Sequence, residues 1–82
     1  RSTWSVPVEM EYLSKVGGVP QADMERTWNC GIGMMAIVSP DSADLALRSL
    51  AARGMKAWVA GVVEERLASN PRSTLEGTYR AR

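Results

Sequence analysis

The sequence predicts an α/β fold of the α+β kind, in which two short helices precede a β-α-β unit and a final strand. Three observations support this order. Apolar residues recur at helical spacing near the start of the chain, two later runs are apolar at successive positions, and a helix-start signal lies between those runs. Because successive apolar residues suit a strand that is covered on both faces, the two runs are predicted to be buried strands.

The two short helices are predicted in the first part of the chain. The first follows Pro7, a residue favoured in the first helical turn, and ends at Gly17-Gly18. Its apolar face consists of Val8, Met10, Tyr12, Leu13 and Val16. The second helix is predicted over residues 21–26, where Asp23 comes early and Arg26 comes late, as the helix dipole favours.

The β-α-β unit is predicted in the middle of the chain. Its first strand is the apolar run Ile32–Val38. Its helix is predicted to be capped by Ser39, to begin at Pro40 and to end at Gly54. The apolar face of that helix consists of Ala43, Ala46, Leu47 and Leu50. The second strand is predicted over Lys56–Glu64, which is again apolar on both faces.

The last part of the chain is predicted to be a loop followed by a weaker strand. Residues 65–72 contain Ser69-Asn70-Pro71, a typical loop sequence, and residues 74–79 are predicted to form a strand with Gly77 at a bulge or an edge. A crossover helix permits a right-handed connection between parallel strands, but a sheet with an inserted strand gives the same local pattern. The strand order therefore stays open.

Composition and charge exclude several classes of function. The chain has 82 residues, enough for one small domain, and its 45% hydrophobic and 23% charged residues are typical of a globular protein. A net charge of +1 gives no electrostatic case for nucleic acid or an anionic membrane as partner. The chain has no His and one Cys, which excludes internal Ser-His-Asp triads, Cys-His pairs and disulfides, and mildly favours a reducing compartment.

The candidate site is the segment Arg-Thr-Trp-Asn-Cys-Gly-Ile-Gly-Met between the second helix and the first predicted strand. Gly31 and Gly33 would let a ligand approach the backbone closely, while Arg26, Thr27 and Asn29 would orient it. The forked guanidinium of Arg26 suits a phosphate group. In the alternative interpretation the glycines only relieve crowding against a neighbouring strand and the arginine is a solvated charge at the end of a helix, since Gly-x-Gly alone is a weak signal.

Other notable side chains are predicted to pack rather than to react. No His is present to activate Cys30, which favours a small core residue over a nucleophile. Met34 and Met35 are expected to fill the core, and Trp58 is expected to anchor it. Trp28 suits either a stacking platform for a ligand or an apolar anchor.

The string Asn-Cys-Gly-x-Gly-Met at residues 29–34, preceded by Arg-Thr and an aromatic residue, is the most specific motif. With it, the whole chain resembles the C-terminal part of the phosphoribosylformylglycinamidine cyclo-ligase family, the aminoimidazole ribonucleotide synthetases of purine biosynthesis. Supporting matches are Trp4, Pro7, Tyr12-Leu13, Gly17-Gly18-Val19, Met24, Pro40, Asp44, Leu50, Gly54, Ala57-Trp58 and Gly61. The chain departs from the family at Trp28 and Met10, where Phe is common, and in a longer loop at 69–71.

The resemblance implies an ATP-dependent ligase that converts formylglycinamidine ribonucleotide to aminoimidazole ribonucleotide. In the family, ATP, magnesium and the homodimer contact belong mainly to an N-terminal domain, whose motifs are not found in residues 1–82. The resemblance therefore implies that this chain is the second half of the C-terminal domain. Its expected partners are its own N-terminal domain, the ribonucleotide and a second subunit, in the cytoplasm, and the chain alone is expected to be inactive.

The resemblance also implies the residues that bind substrate. Arg26, Thr27, Asn29, Gly31 and Gly33 are expected to line a cleft between the domains, while the catalytic residues stay unknown and no metal ligand is expected. Arg26 is expected to favour the substrate's phosphate or the developing phosphoryl charge. Two alternatives stay open: a stand-alone ligand-binding or protein-interaction module, and the C-terminal domain of a related ATP-dependent synthetase or kinase. Against the stand-alone module, strands that are apolar on both faces need more cover than these helices supply.

Overall fold

Helices are the regular elements of the computed structural model, which describes residues 1–82. It contains a short 3-10 turn at Pro40–Ser42 and three α-helices: α1 Val8–Gly17, α2 Gln21–Thr27 and α3 Ala43–Ala52. No residue lies in a β-strand. None of the helices has the length and apolar character needed to cross a membrane. The chain divides into two compact units.

The predicted β-α-β unit and final strand are absent, so the predicted α/β fold class is wrong for this chain. Residues 32–38, 56–64 and 74–79 belong to no helix or strand. A strand forms only where a neighbouring strand pairs with its N–H and C=O groups and where another layer covers its apolar face. Ile37 and Val62 are 84% and 81% exposed, so that cover is missing here.

The first unit comprises residues 1–35 and 77–82 and holds the buried residues of the chain. These are Trp4, Val6, Met24 and Cys30, with Met10, Val19, Trp28 and Tyr79 packed partly buried against them. The end of the chain joins this core, because the Arg80 N–H donates to the Trp4 carbonyl at 2.9 Å. The rings of Trp4 and Tyr79 also meet edge to face, with centroids 5.4 Å apart.

Both longer helices end at the glycines that the sequence predicts, and they do so with the same motif. Gly18 follows α1 with a φ of 63°, and its N–H donates to the Lys15 carbonyl while the Val19 N–H donates to the Ser14 carbonyl. Gly54, with a φ of 75°, closes α3 through an equivalent pair of bonds. This left-handed closure favours glycine because a side chain would be strained there.

The second unit comprises residues 36–76 and is built around α3. The predicted apolar face of this helix is its half-buried face, formed by Ala43, Ala46, Leu47 and Leu50. The predicted start is wrong in detail, because the Ser39 hydroxyl does not cap the helix. It donates to the Ser42 hydroxyl at 3.0 Å, and the 3-10 turn precedes the first α-helical residue, Ala43.

The residues predicted to pack have three different outcomes. Cys30 is 4% exposed and lies in the core of the first unit, so that prediction is confirmed. Trp58 is half-buried. Met34 and Met35 are 90% and 69% exposed, so the prediction that they fill the core is wrong for this chain. They lie in the first of the segments that lack a partner strand.

Candidate functional site

The candidate site is an exposed stretch of the first unit that is anchored by two core residues. Met24 lies in α2 before it and Cys30 lies within it, with side chains that are 6% and 4% exposed. Between them, Arg26, Thr27 and Asn29 are exposed. Buried anchors at this spacing fix the backbone while leaving the polar side chains open to solvent.

The end of α2 positions the first two polar residues. The Trp28 N–H donates to the Met24 carbonyl at 2.9 Å and closes the helix. The Thr27 hydroxyl donates to the Asp23 carbonyl at 2.8 Å, so its proton is already used within the helix. Arg26 lies 3.7 Å from the Asp23 carboxylate, and its side chain is 78% exposed. A solvated pair of this kind holds a guanidinium weakly.

A tight turn over residues 29–32 forms the other half of the site. The Ile32 N–H donates to the Asn29 carbonyl at 3.1 Å, and the Gly31 N–H donates to the Asn29 side-chain oxygen at 2.9 Å. Both central residues have positive φ, 53° at Cys30 and 100° at Gly31. Asn at the first turn position and Gly at the third suit this conformation. The sequence analysis missed the turn because these residues adjoin a predicted strand.

The segment before α1 contacts this turn at two points. The Trp4 indole N–H donates to the Cys30 carbonyl at 3.0 Å, in a buried hydrogen bond. A Cβ added at Gly31 would lie 2.8 Å from the Pro7 ring, which is closer than real side chains approach. Crowding therefore requires Gly31, as in the alternative interpretation, but the crowding neighbour is Pro7 before α1 and not a strand. At Gly33 a Cβ would meet nothing within 4 Å.

A network of polar groups ties α2 to both ends of the chain. The Glu25 carboxylate accepts bonds from the Arg1 guanidinium at 2.7 Å, the Tyr79 hydroxyl at 2.9 Å and the Gln21 amide at 3.2 Å. The hydrogen bond from Arg1 lowers the pKa of Glu25, and the bond from Tyr79 adds to this. Burial, followed by the bond to Glu25, raises the pKa of Tyr79. This network holds the helix that carries Arg26.

The comparison with models of known protein families shows which family the chain belongs to. Residues 5–71 match the family described as AIR synthase related protein, C-terminal domain, and this stretch includes the whole candidate site. The chain belongs to this family. The resemblance found in the sequence is therefore confirmed, and it covers both units.

Three relatives illustrate the similarity to the family. The phosphoribosylformylglycinamidine cyclo-ligase of Nitrosospira multiformis is 38% identical over 76 residues, which are 93% of this chain and 22% of that protein. A putative cyclo-ligase of Streptomyces fradiae is 39% identical over 80% of the chain and 36% of its own length. The cyclo-ligase of Burkholderia mallei is 48% identical over 73% of the chain and 17% of its length.

The chain spans about a sixth to a third of the length of these curated relatives. No solved structure matches it.

All five residues expected to bind substrate lie in the first unit. Arg26, Thr27, Asn29, Gly31 and Gly33 are exposed and follow one another along the end of α2, the turn and the residues just after it. Trp28, in their midst, is half-buried and packs against the core. Its contact with the core makes it an anchor for the segment, one of the two roles that the sequence analysis left open.

No residues of this chain come together as a metal centre. The structure contains no group of three or more Asp, Glu or Cys side chains that would hold a cation. The five candidate residues include no carboxylate, the side chain through which proteins usually hold Mg²⁺, so these five do not fit a magnesium site. An open apolar depression on α1, lined by Val8, Glu9, Tyr12 and Leu13, includes none of the five candidate residues.

Proposed function

We propose that residues 1–82 are the second half of the C-terminal domain of an enzyme that closes the ring of aminoimidazole ribonucleotide, starting from formylglycinamidine ribonucleotide and ATP. The family match over residues 5–71 carries this proposal. It is supported by relatives named phosphoribosylformylglycinamidine cyclo-ligase at 38% to 48% identity. The exposed, firmly held segment that contains the family's most specific motif supplies the candidate binding surface.

Arg26 is the residue of this segment that suits a phosphate. Its guanidinium offers several donors in one plane, which matches phosphate oxygens. Its one ion pair, with Asp23, is long and exposed, so little interaction energy is lost when the side chain turns to a ligand. In the proposed enzyme Arg26 binds the phosphate of the ribonucleotide.

The remaining candidate residues differ in what they can offer to a ligand. The Thr27 hydroxyl proton and the Gly31 N–H are already donated within the chain, to Asp23 and to Asn29. Thr27 can therefore accept a hydrogen bond, and Asn29 can donate through its side-chain NH₂. Gly31 acts through the turn it permits. Gly33, with open space above its Cα, allows a ligand to approach the backbone.

The other parts of the proposed reaction lie outside these residues. ATP supplies the phosphoryl group that activates the formyl oxygen of the substrate, and in the proposed enzyme ATP and magnesium are bound mainly by the N-terminal domain. That domain and a second subunit are the proposed protein partners, and the cytoplasm is the proposed location. On its own, the chain is proposed to be inactive.

A chimeric enzyme tests this proposal directly. The 76 matched residues of the Nitrosospira multiformis cyclo-ligase are replaced by the corresponding residues of this chain, and formation of aminoimidazole ribonucleotide and ADP is measured. An active chimera is the expected result. An equivalent chimera is made with the Burkholderia mallei cyclo-ligase, which is 48% identical to this chain, so that the test does not depend on the folding of a single chimera. Two folded chimeras that bind ATP without forming product would contradict the proposal.

Substitution of Arg26 tests the assignment of the phosphate contact. In the active chimera, Arg26→Ala is expected to raise the Michaelis constant for the ribonucleotide by about tenfold to a hundredfold, because a charge-assisted hydrogen bond to the substrate is lost. Arg48→Ala is the matched control, since Arg48 is an exposed arginine of α3. Equal kinetics for both variants would remove Arg26 from the site.

A further inference from the structure

We propose that Trp4 is a positioning residue of the candidate site, because its indole N–H holds the left-handed turn that carries Asn29. The role of the turn in binding a ribonucleotide rests on the proposed function. The role of Trp4 in holding the turn rests on the contacts of the first unit alone. Trp4 lies before α1 and outside the motif, so the motif gives no reason to include it.

The turn needs external support because of Cys30. A residue with a side chain is disfavoured at a φ of 53°, where its Cβ crowds the backbone. Such conformations persist only where surrounding contacts determine them. The turn's own bonds, from Ile32 and Gly31 to Asn29, run between neighbouring residues and leave the Cys30 carbonyl available.

Trp4 supplies that support at the strained residue itself. Its indole N–H donates to the Cys30 carbonyl at 3.0 Å, and both side chains are buried, at 8% and 4% exposure. A hydrogen bond shielded from water is stronger than an exposed one, and the loss of its donor leaves a buried carbonyl without this partner. The bond therefore favours the left-handed conformation over its alternatives.

Trp4 is suited to this task because it is itself fixed on several sides. Its backbone carbonyl accepts a bond from the Arg80 N–H at 2.9 Å, and its ring packs edge to face on Tyr79. The Pro7 ring, three residues further along, lies against Gly31. The segment from Trp4 to Pro7 thus contacts both central residues of the turn. Because Trp4 is buried, it acts through the turn and not on a ligand.

A pair of substitutions at Trp4 tests this inference in the 82-residue chain, to which Ile37→Ser and Val62→Ser are added in the second unit to limit association through exposed apolar side chains. Trp4→Phe removes the N–H and keeps an aromatic ring beside Tyr79. Benzothienylalanine at the same position replaces the N–H by sulfur at nearly the same shape, and it decides the question if the Phe variant loses its helical circular dichroism. Trp58→Phe is the control, because Trp58 lies in the second unit.

Nuclear magnetic resonance measures the state of the turn in these variants. We expect the three-bond coupling of the Cys30 amide to leave its left-handed value, and the Gly31 amide to exchange about tenfold faster, when the indole N–H is absent. The Trp58 control is expected to change neither. An unchanged Cys30 coupling and Gly31 exchange rate in the benzothienylalanine variant would overturn the inference.

Kinetics in the active chimera separate this inference from the proposed function. Trp4→Phe is expected to raise the Michaelis constant for the ribonucleotide by about tenfold, with kcat changed by less than about threefold, because ground-state binding is lost. An inactive chimera with the unsubstituted chain would count against the proposed function and leave the resonance result standing. An active chimera that is insensitive to Trp4→Phe would overturn the role of Trp4 in the site.

Discussion

The turn at residues 29–32 is where single side chains decide the shape of the candidate site. Asn29 accepts the Gly31 N–H through its side chain, Cys30 is held at positive φ, and Gly31 lies against the Pro7 ring. Each position therefore has its own physical requirement. Gly31 alone must lack a side chain, and it must do so for two independent reasons. Its φ is 100°, and the Pro7 ring takes the space where a Cβ would lie.

Gly31→Ala is expected to destabilise the first unit by about 2 kcal/mol or more. The new Cβ would be strained at a φ of 100° and would lie 2.8 Å from the Pro7 ring. The free energy of unfolding, measured by urea titration with tryptophan fluorescence, checks this expectation.

Gly33→Ala is the matched control for that substitution. Gly33 has no positive φ, and an added Cβ would meet no atom within 4 Å. Its free energy of unfolding is expected to stay within about 0.5 kcal/mol of the original. Equal losses at Gly31 and Gly33 would contradict the contact between the turn and Pro7.

At the scale of the elements, α2 depends on contacts from distant parts of the chain. It is a short helix, and its Glu25 accepts hydrogen bonds from two residues that are distant in the sequence. These are Arg1, at the start of the chain, and Tyr79, near its end. Isolated helices of this length are unstable in water. These bonds and the buried Met24 therefore replace the stability that a longer helix would have by itself.

The Glu25 network predicts a loss of stability in acid. The hydrogen bond from Arg1 lowers the pKa of Glu25 from its ordinary value of 4.5, so the folded state holds the carboxylate charged. The resulting stabilisation is fully present above pH 4.5 and is lost as the pH falls through the lowered pKa of the folded state. An acid titration that is monitored by circular dichroism measures this loss.

Glu25→Gln separates this contribution from that of other carboxylates. It is expected to lower the free energy of unfolding at neutral pH and to flatten its decline below pH 4.5. Some decline remains, because the hydrogen bond from Arg82 also lowers the pKa of Glu11. An unchanged acid profile in Glu25→Gln would show that the network does not stabilise the fold.

At the scale of the whole molecule, much apolar surface is left uncovered. Large exposed side chains in the segments predicted as strands include Met34, Ile37, Val59, Val62 and Val63. Surfaces of this kind on a protein in water favour association. We expect the 82-residue chain by itself to form oligomers at micromolar concentration, as sedimentation velocity will measure.

A double variant tests the source of that association. Ile37→Ser with Val62→Ser removes two of the most exposed apolar side chains, at 84% and 81% exposure, and is expected to shift the chain toward monomer. Arg48→Ala again serves as the control at an exposed polar position. A chain that sediments as a monomer without any substitution would contradict the expectation.

How much the sequence determines differs between the helices and the rest of the chain. Its apolar spacing and its glycines locate the helices, because a helix satisfies its hydrogen bonds within one segment. α1 and α2 lie where the sequence predicts them, and α3 keeps the predicted apolar face although it begins three residues after Pro40. The sequence is also sufficient to identify the family, because the motif at residues 29–34 is recognised from residue order alone.

Tertiary structure alone decides which segments that are far apart in the sequence contact one another. The sequence marks residues 32–38 and 56–64 as strand-forming, but these residues lack the partners that a strand requires. It also marks Asn29 and Gly31 without indicating that Trp4 and Pro7 hold their turn. Contacts within one turn of chain follow from local residue order, whereas contacts between distant segments depend on which surfaces the folded chain brings together.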